Sequence, residues 1–250
     1  MGKLSGKVAI ITGASKGLGR AMAVALAEAN ATLALVSRDN EQLEATAHAV
    51  RGAGGTAHTF KADVTDEQQV LRFAAAAEQE FGKIHILINN AGINIRKPVT
   101  DFTLEEWRRI LDTNLTGAFL MCRSLVPLMR GQGYGRIINM TSIMSHVSMA
   151  HRSAYSASKA GLLGFTRALA LELAPEAITV NGISPGPIAT EMNLPITQNP
   201  ELNQQFISRI PLGRWGKVEE IGQLALYLCS PDAGFITGVD LVIDGGWCAQ

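Results

Sequence analysis

Tyr155 and Lys159 stand four residues apart in the run Tyr-Ser-Ala-Ser-Lys. If that run is helical, the phenol and the ammonium share one face. With an ordinary pKa of about 10, tyrosine is a poor base near neutrality. A neighbouring ammonium favours the phenolate and lowers that pKa, so the hydroxyl can exchange a proton with a carbonyl or hydroxyl oxygen. Ser142 lies thirteen residues earlier and ends the run Asn139-Met140-Thr141-Ser142. From there it can hydrogen-bond the same oxygen and steady developing charge. A Tyr-x-x-x-Lys pair also arises by chance, as a surface tyrosine beside a solvated lysine; a serine ending the preceding strand weakens that alternative. Asn114 falls inside a helical pattern, where its side chain competes for backbone hydrogen bonds. Exposed, it needs no explanation; buried beside Lys159, it can hold a water that relays protons.

A second chemistry is written near the start. Residues 12–19 read Thr-Gly-Ala-Ser-Lys-Gly-Leu-Gly between a β-branched run and a helical pattern. Glycines let backbone approach a phosphate, and the helix N-terminus beyond favours negative charge. Gly13, Ser15, Lys16, Gly17, Leu18 and Gly19 are therefore candidates to hold a pyrophosphate. The spacing G-x3-G-x-G departs from G-x-G-x-x-G, and a purely structural turn is an equal alternative for the motif alone. The second strand ends Ser37-Arg38-Asp39. An acid at that place reads a ribose 2′-hydroxyl, whereas Arg accommodates a 2′-phosphate. Ser37, Arg38 and Lys16 together favour NADP(H) over NAD(H). If the strand ends one residue later, Asp39 reaches the ribose and NAD(H) is favoured; otherwise Asp39 caps the next helix. Asp63 and Val64 follow the third strand, where an acid can accept from an adenine amino group. Asn90, Ala91 and Gly92, in Asn-Asn-Ala-Gly, end the fourth, where small residues let a cofactor lie close. Both segments are also ordinary turn chemistry.

These residues need a frame. Short β-branched runs at 8–12, 32–37, 58–62, 84–89, 136–141, 178–183 and 241–243 alternate with helical patterns at 17–29, 40–52, 67–81, 104–130, 154–173 and 218–229. Alternation of this kind predicts an α/β fold: a single-domain, doubly wound, Rossmann-type, mostly parallel sheet with helices on both faces. No linker or repeat divides residues 1–250. The Pro/Thr/Asn-rich stretch from 185 to 200 reads as irregular, and a substrate lid is expected over about 185–210.

Composition narrows the classes. The chain has 250 residues, 47% of them apolar, which disfavours disorder. Its 22 basic and 22 acidic residues cancel, so there is no footprint for nucleic acid or an anionic membrane. No stretch approaches a membrane span or a signal-peptide core, and a soluble, cytoplasmic protein is expected. Cys122, Cys229 and Cys248 are scattered and predict neither a disulfide framework nor a metal site.

Taken together, Thr12 to Gly19, Asn89-Asn90-Ala91-Gly92, Ser142, Tyr155, Lys159, Val180-Asn181, Ser184-Pro185-Gly186 and Asp244-Gly245-Gly246 resemble the short-chain dehydrogenase/reductase family over nearly the whole chain. The resemblance implies oxidoreduction between a ketone and a secondary alcohol with NAD(P), and a catalytic tetrad of Asn114, Ser142, Tyr155 and Lys159. It implies that Lys159 also binds the nicotinamide ribose, that Pro185, Gly186, Ile188 and Thr190 hold the carboxamide end, and that the assembly is a homotetramer. Gly238 to Ile243 and the helix at 104–130 would be buried between subunits.

Asn94-Ile95-Arg96-Lys97-Pro98, the segment 209–216 and Gly-Gly-Trp247 are similar to gluconate 5-dehydrogenases, pointing to a sugar acid or polyol. Arg96, Arg152 and His151 are expected near the pocket mouth, where a cation meets a carboxylate; Lys97 and His151 read more readily as solvated charges. Met144, Val147 and Met149 would form an apolar, adaptable wall. The rival reading is a 3-oxoacyl-[acyl carrier protein] reductase, whose basic carrier patch this chain departs from at Leu171 while keeping Arg130. A third, from another class, is a non-catalytic dinucleotide sensor, against which the intact Ser142, Tyr155 and Lys159 argue; turnover of any ketone with NADPH would remove it.

Overall fold

A computed structural model describes residues 2–249. The apolar runs become seven strands: β1 (Val8–Thr12), β2 (Thr32–Ser37), β3 (Thr56–Lys61), β4 (Ile86–Asn89), β5 (Gly135–Met140), β6 (Ile178–Pro185) and β7 (Asp240–Ile243). They form one sheet in the order β3-β2-β1-β4-β5-β6-β7, with every neighbouring pair parallel. Between them run α1 (Gly17–Glu28), α2 (Asn40–Gly52), α3 (Glu67–Phe81), α4 (Leu104–Leu111), α5 (Gly117–Met129), α6 (Ser153–Leu173), α7 (Leu194–Thr197), α8 (Pro200–Ile207) and α9 (Val218–Cys229).

Strand side chains alternate between two cores. Ala9, Ile11, Leu33, Leu35, Ile86 and Ile88 face α1, α2 and α9, while Ile10, Ala34, Val36, Leu87 and Ile137 face α3, α5 and α6. Burial on both faces explains why the strands read as near-continuous apolar runs. The first and last long helices pack on each other. Gly222 of α9 lies so close to α1 that an added Cβ would stand 2.9 Å from the Ala21 carbonyl oxygen.

Two expectations are corrected. The helix expected over 104–130 is broken by a π-helical turn at Asp112–Thr116. A π-turn inserts a residue without changing the apolar pattern enough to be read, and such turns concentrate at functional sites. The stretch expected to be irregular is largely helical, with a 3-10 turn at Glu191–Asn193 followed by α7 and α8. Asn199 caps α8 by accepting from the Glu201 and Leu202 amides, with Pro200 at the first helical position, so the turn-forming residues act as helix starters. Bounds differ elsewhere by a residue or two. Ile84 leaves the sheet because its amide donates to the Leu128 carbonyl.

Among the described residues, no helix is long and apolar enough to cross a membrane.

Candidate active site

β1 pairs with β2 on one side and β4 on the other, so a crevice opens beyond their carboxyl ends, where parallel sheets of this kind place ligands. Thr12 stitches this switch point: its hydroxyl accepts from the Asn90 and Ala91 amides at 3.0 and 3.1 Å. The Asn90 side-chain amide returns to the Thr12 and Gly13 carbonyls at 2.9 and 3.0 Å. Gly13 has φ +62°, and an added Cβ would stand 2.9 Å from the Ala91 Cα. The close approach of the two loops thus requires glycine there.

The crevice continues into a cleft of about 490 Å³, within the range of small-molecule sites. Along it lie Gly13, Ser15, Lys16, Gly17 and Leu18, then Ser37, Arg38, Asp63 and Val64, then Asn90, Ala91 and Gly92, and finally Pro185, Gly186, Ile188 and Thr190. The long glycine-lined channel, opening onto the N-terminus of α1, fits an extended dinucleotide. Gly19 lies outside this lining. It packs beneath the turn, where an added Cβ would meet the Gly13 carbonyl oxygen at 2.3 Å.

At the adenosine end, Asp39 is the N-cap of α2 and accepts from the Gln42 amide at 3.0 Å, which leaves Ser37 and Arg38 facing the cleft. Ser37, Arg38 and Lys16 line the same cleft. Arg38 leans toward Asp63, with Nη1 3.4 Å from a carboxylate oxygen. Burial works to raise the Asp63 pKa, but the Thr65 amide and hydroxyl and the Arg38 guanidinium hold it below its ordinary value. With those partners, the Asp63 carboxylate is already committed, in part, before any adenine amino group arrives.

At the other end the structure brings Ser142, Tyr155, Lys159, Arg96, Arg152 and Met144 into the same cleft. Ser142 follows β5 and caps a short 3-10 turn at Ile143–Ser145, accepting from the Met144 amide at 3.1 Å. Its side chain also lies close enough to Tyr155 to favour the phenolate. Tyr155 and Lys159 lie one turn apart on α6, with the Lys159 ammonium 5.7 Å from the tyrosine ring centroid. Lys159 is buried and donates to the Met140 carbonyl at 2.5 Å.

The electrostatics differ from the expectation that a nearby lysine would pull the tyrosine pKa down. Burial raises the Tyr155 pKa, and the groups that oppose it are Ser142, Arg152 and Arg96. Burial wins, so the phenol holds its proton above the ordinary value. Lys159 moves the other way: burial lowers its pKa to about 8, against the attraction of Asp240.

Asn114 sits in the π-turn and is 1% exposed. Its Oδ1 accepts from the Ile93 amide at 2.8 Å, and its Nδ2 lies 3.0 Å from both the Ile93 carbonyl and the Ser158 hydroxyl. Asn114 therefore ties the loop after β4 to α6 beside Lys159 and does not itself line the cleft.

Arg96 and Arg152 share the cleft with Tyr155 and their charges reach it. Burial and the nearby Arg96 charge lower the Arg152 pKa to about 10, and burial also lowers that of Arg96. Arg96 donates to Asn193 Oδ1 at 3.0 Å, and Asn193 donates to the Ile188 carbonyl at 2.9 Å. His151 and Val147 fall outside the lining, while Met144 and Met149 are part of it. Lys97 pairs with Glu106 at 2.5 Å. The sequence reading missed Asn193 and an aromatic wall in which Phe206 stacks on Trp215 at 5.6 Å and leans on Trp247 at 5.7 Å. The clustering of 209–216 and Trp247 with one sugar-acid branch was the available signal.

A family profile described as Enoyl-(Acyl carrier protein) reductase matches residues 13–248. The chain is 37% identical to 3-oxoacyl-[acyl-carrier-protein] reductase of Aquifex aeolicus, covering 98% of each chain. It is 35% identical to gluconate 5-dehydrogenase of Gluconobacter oxydans, covering 97% of this chain and 95% of that one. Among solved structures, NAD+-bound xylitol dehydrogenase superposes with a TM-score of 0.92 at 35% identity, over 98% of this chain and 100% of that one.

Proposed function

The chain belongs to the short-chain dehydrogenase/reductase family, whose members are NAD(P)-dependent oxidoreductases acting on keto and alcohol groups, and from that premise we propose a more specific reaction. The protein interconverts a ketone and a secondary alcohol on a small carboxylated substrate of the sugar-acid class, using NADP(H) in preference to NAD(H). The observation that carries the substrate class is the pair of arginines, half-buried Arg152 and more exposed Arg96, that line the cleft close to Tyr155. Two like charges lining one cleft disfavour one another, and an anion bound between them relieves that cost.

When bound, the nicotinamide supplies or accepts the hydride. Tyr155 gives its proton to the substrate oxygen in reduction and takes it back in oxidation, and a phenol held protonated suits the first direction. Ser142 hydrogen-bonds that oxygen and keeps Tyr155 aligned. Lys159, fixed to the Met140 carbonyl, keeps its charge 5.7 Å from the Tyr155 ring centroid and would hold the nicotinamide ribose when the cofactor is bound. Asn114 holds the Ile93 loop and α6 in register. The segment at about 185–210 acts as the lid, tied to the pocket through Asn193 and Arg96.

The carrier-protein reading finds less support. Leu171 is 81% exposed where that function would place a basic residue, and Arg130 is engaged with Glu176 at 2.8 Å.

The test is a panel of sugar acids, neutral polyols and β-ketoesters assayed with both cofactors. Gluconate-type acids should be preferred over neutral polyols of equal length. Arg96→Gln and Arg152→Gln should each raise KM for the acid about tenfold or more, the loss of one charged hydrogen bond, with little change for a neutral ketone. Preference for the neutral polyol or the β-ketoester would overturn the sugar-acid assignment.

We also read the protein as a cytoplasmic homotetramer. Val239 and Val242, around the edge strand β7, and Phe119 on α5 are each more than 40% exposed, which suits burial between subunits. Sedimentation at micromolar concentration should give four copies, and a monomer would defeat this reading.

A further inference from the structure

Behind the cleft lies a carboxylate that the mechanism above does not use. Asp240 is on β7, beside β6, and its side chain is 2% exposed. Its Oδ1 stands 2.6 Å from the Thr141 hydroxyl, and its Oδ2 stands 2.7 Å from both the Ser184 hydroxyl and His146 Nε2. The seat is built for it. Asp240 is in register with Gly182 on β6, and an added Cβ on Gly182 would fall 2.2 Å from Asp240 Oδ1. A buried carboxylate persists only where such partners offset its desolvation.

We propose that Asp240 is a positioning residue for the proton transfer, bracing the strand end that presents Ser142 and setting a buried carboxylate on Thr141, the residue next to the Met140 carbonyl that holds Lys159. This rests on the reading of Tyr155 and Lys159 given above. The bracing is direct: Thr141 immediately precedes Ser142, and His146 closes the 3-10 turn that Ser142 caps. Asp240 therefore grips the turn at both ends. The charged and titratable groups around Lys159 are Asp240 from β7 and Tyr155 from its own helix. Those around Asp240 are Lys159 from α6 and His146 from the turn, the latter 32% exposed. Thr141 and Ser184 are neutral. His146 thus links a buried charge to solvent at the rim of the site.

The sign of the effect follows from the burial of Lys159. Its ammonium is disfavoured by desolvation and favoured by Asp240. Removing the negative charge leaves desolvation unopposed, so the ammonium loses its proton at lower pH.

The experiment follows the titration of Lys159 by its 13Cε resonance in lysine-labelled full-length protein, assigned through Lys159→Arg. It needs no substrate. Asp240→Asn keeps the shape and removes the charge, and should lower the Lys159 midpoint by about one pH unit or more. The alkaline limb of kcat/KM should move with it. His146→Lys, at a partly exposed position, places a fixed cation on Asp240 and should shift the midpoint the same way by less. If Asp240→Asn does not fold, the His146→Lys titration decides alone. An unmoved midpoint, even with activity reduced at every pH, would show a merely structural carboxylate and overturn the proposal. Failure of the Tyr155 and Lys159 reading would appear separately, as retained turnover in Tyr155→Phe.

Discussion

Tyr155→Phe is expected to lose about 10²–10⁴-fold in turnover while binding cofactor as the parent chain does. Only one oxygen is removed. The ring stays partly buried on α6, above the Lys159 ammonium, and Ser142 keeps its bond to the Met144 amide. The fold and the dinucleotide channel should be intact, and thermal stability should match the parent within a few degrees. What disappears is the proton that burial holds on the phenol. The check is single-turnover reduction of a ketone with NADPH, with chemistry shown to limit the rate by a deuteride isotope effect. Parent-like turnover under that condition would mean that another group is the acid.

Arg38→Asp should reverse the cofactor preference. NADP(H) and NAD(H) differ only at the 2′-phosphate, so the preference is a difference of binding free energies at that group. The Arg38 side chain is 67% exposed and reaches Asp63 only at 3.4 Å, a contact that a phosphate can replace with a shorter, better aligned one. A charged hydrogen bond contributes roughly 1.5–3 kcal/mol, which corresponds to a preference of about ten- to a hundredfold. The substitution removes that bond and sets a carboxylate beside the phosphate. KM for NADPH should rise by at least that factor, while KM for NADH changes little. The effect should shrink at high salt, because the contact is open to solvent. Asp39→Ala is the control. It should cost about 1 kcal/mol of stability through the lost α2 cap and leave the preference where it was, because the Asp39 carboxylate serves Gln42. A parent enzyme that prefers NADH tenfold or more would overturn the assignment.

Much of this architecture is legible in the chain, for a physical reason. A doubly wound sheet buries its strands on both faces, so they are written as short apolar runs, and helices written at 3.6-residue spacing separate them. β1, β2, α2, α3 and α9 carry the very bounds that their patterns predict. The dinucleotide turn and the Ser142, Tyr155 and Lys159 set are likewise readable, because each is local or tied to a strand end. What escapes is contact between distant segments. Nothing in Asp240 announces Thr141, Ser184 or His146, and nothing in Arg96 announces Asn193, because these meetings depend on where β7 and the 191–193 turn come to rest. The π-turn at Asn114 escapes for another reason: one inserted residue leaves the apolar spacing nearly unchanged. Tyr155 shows the limit of pairwise reading. A lysine four residues away suggested a lowered pKa, but burial, which no spacing records, outweighs every cation around it.

The packing of α9 on α1 bears on how the chain comes off the ribosome. Met22, Ala23 and Leu26 share one core with Ile221, Ala225 and Leu228, so one flank of α1 waits for a helix that lies far downstream in the chain. Helices α3, α5 and α6 can close the opposite face of the sheet sooner. Until α9 emerges, that apolar flank of α1 is therefore open to chaperones or to aggregation.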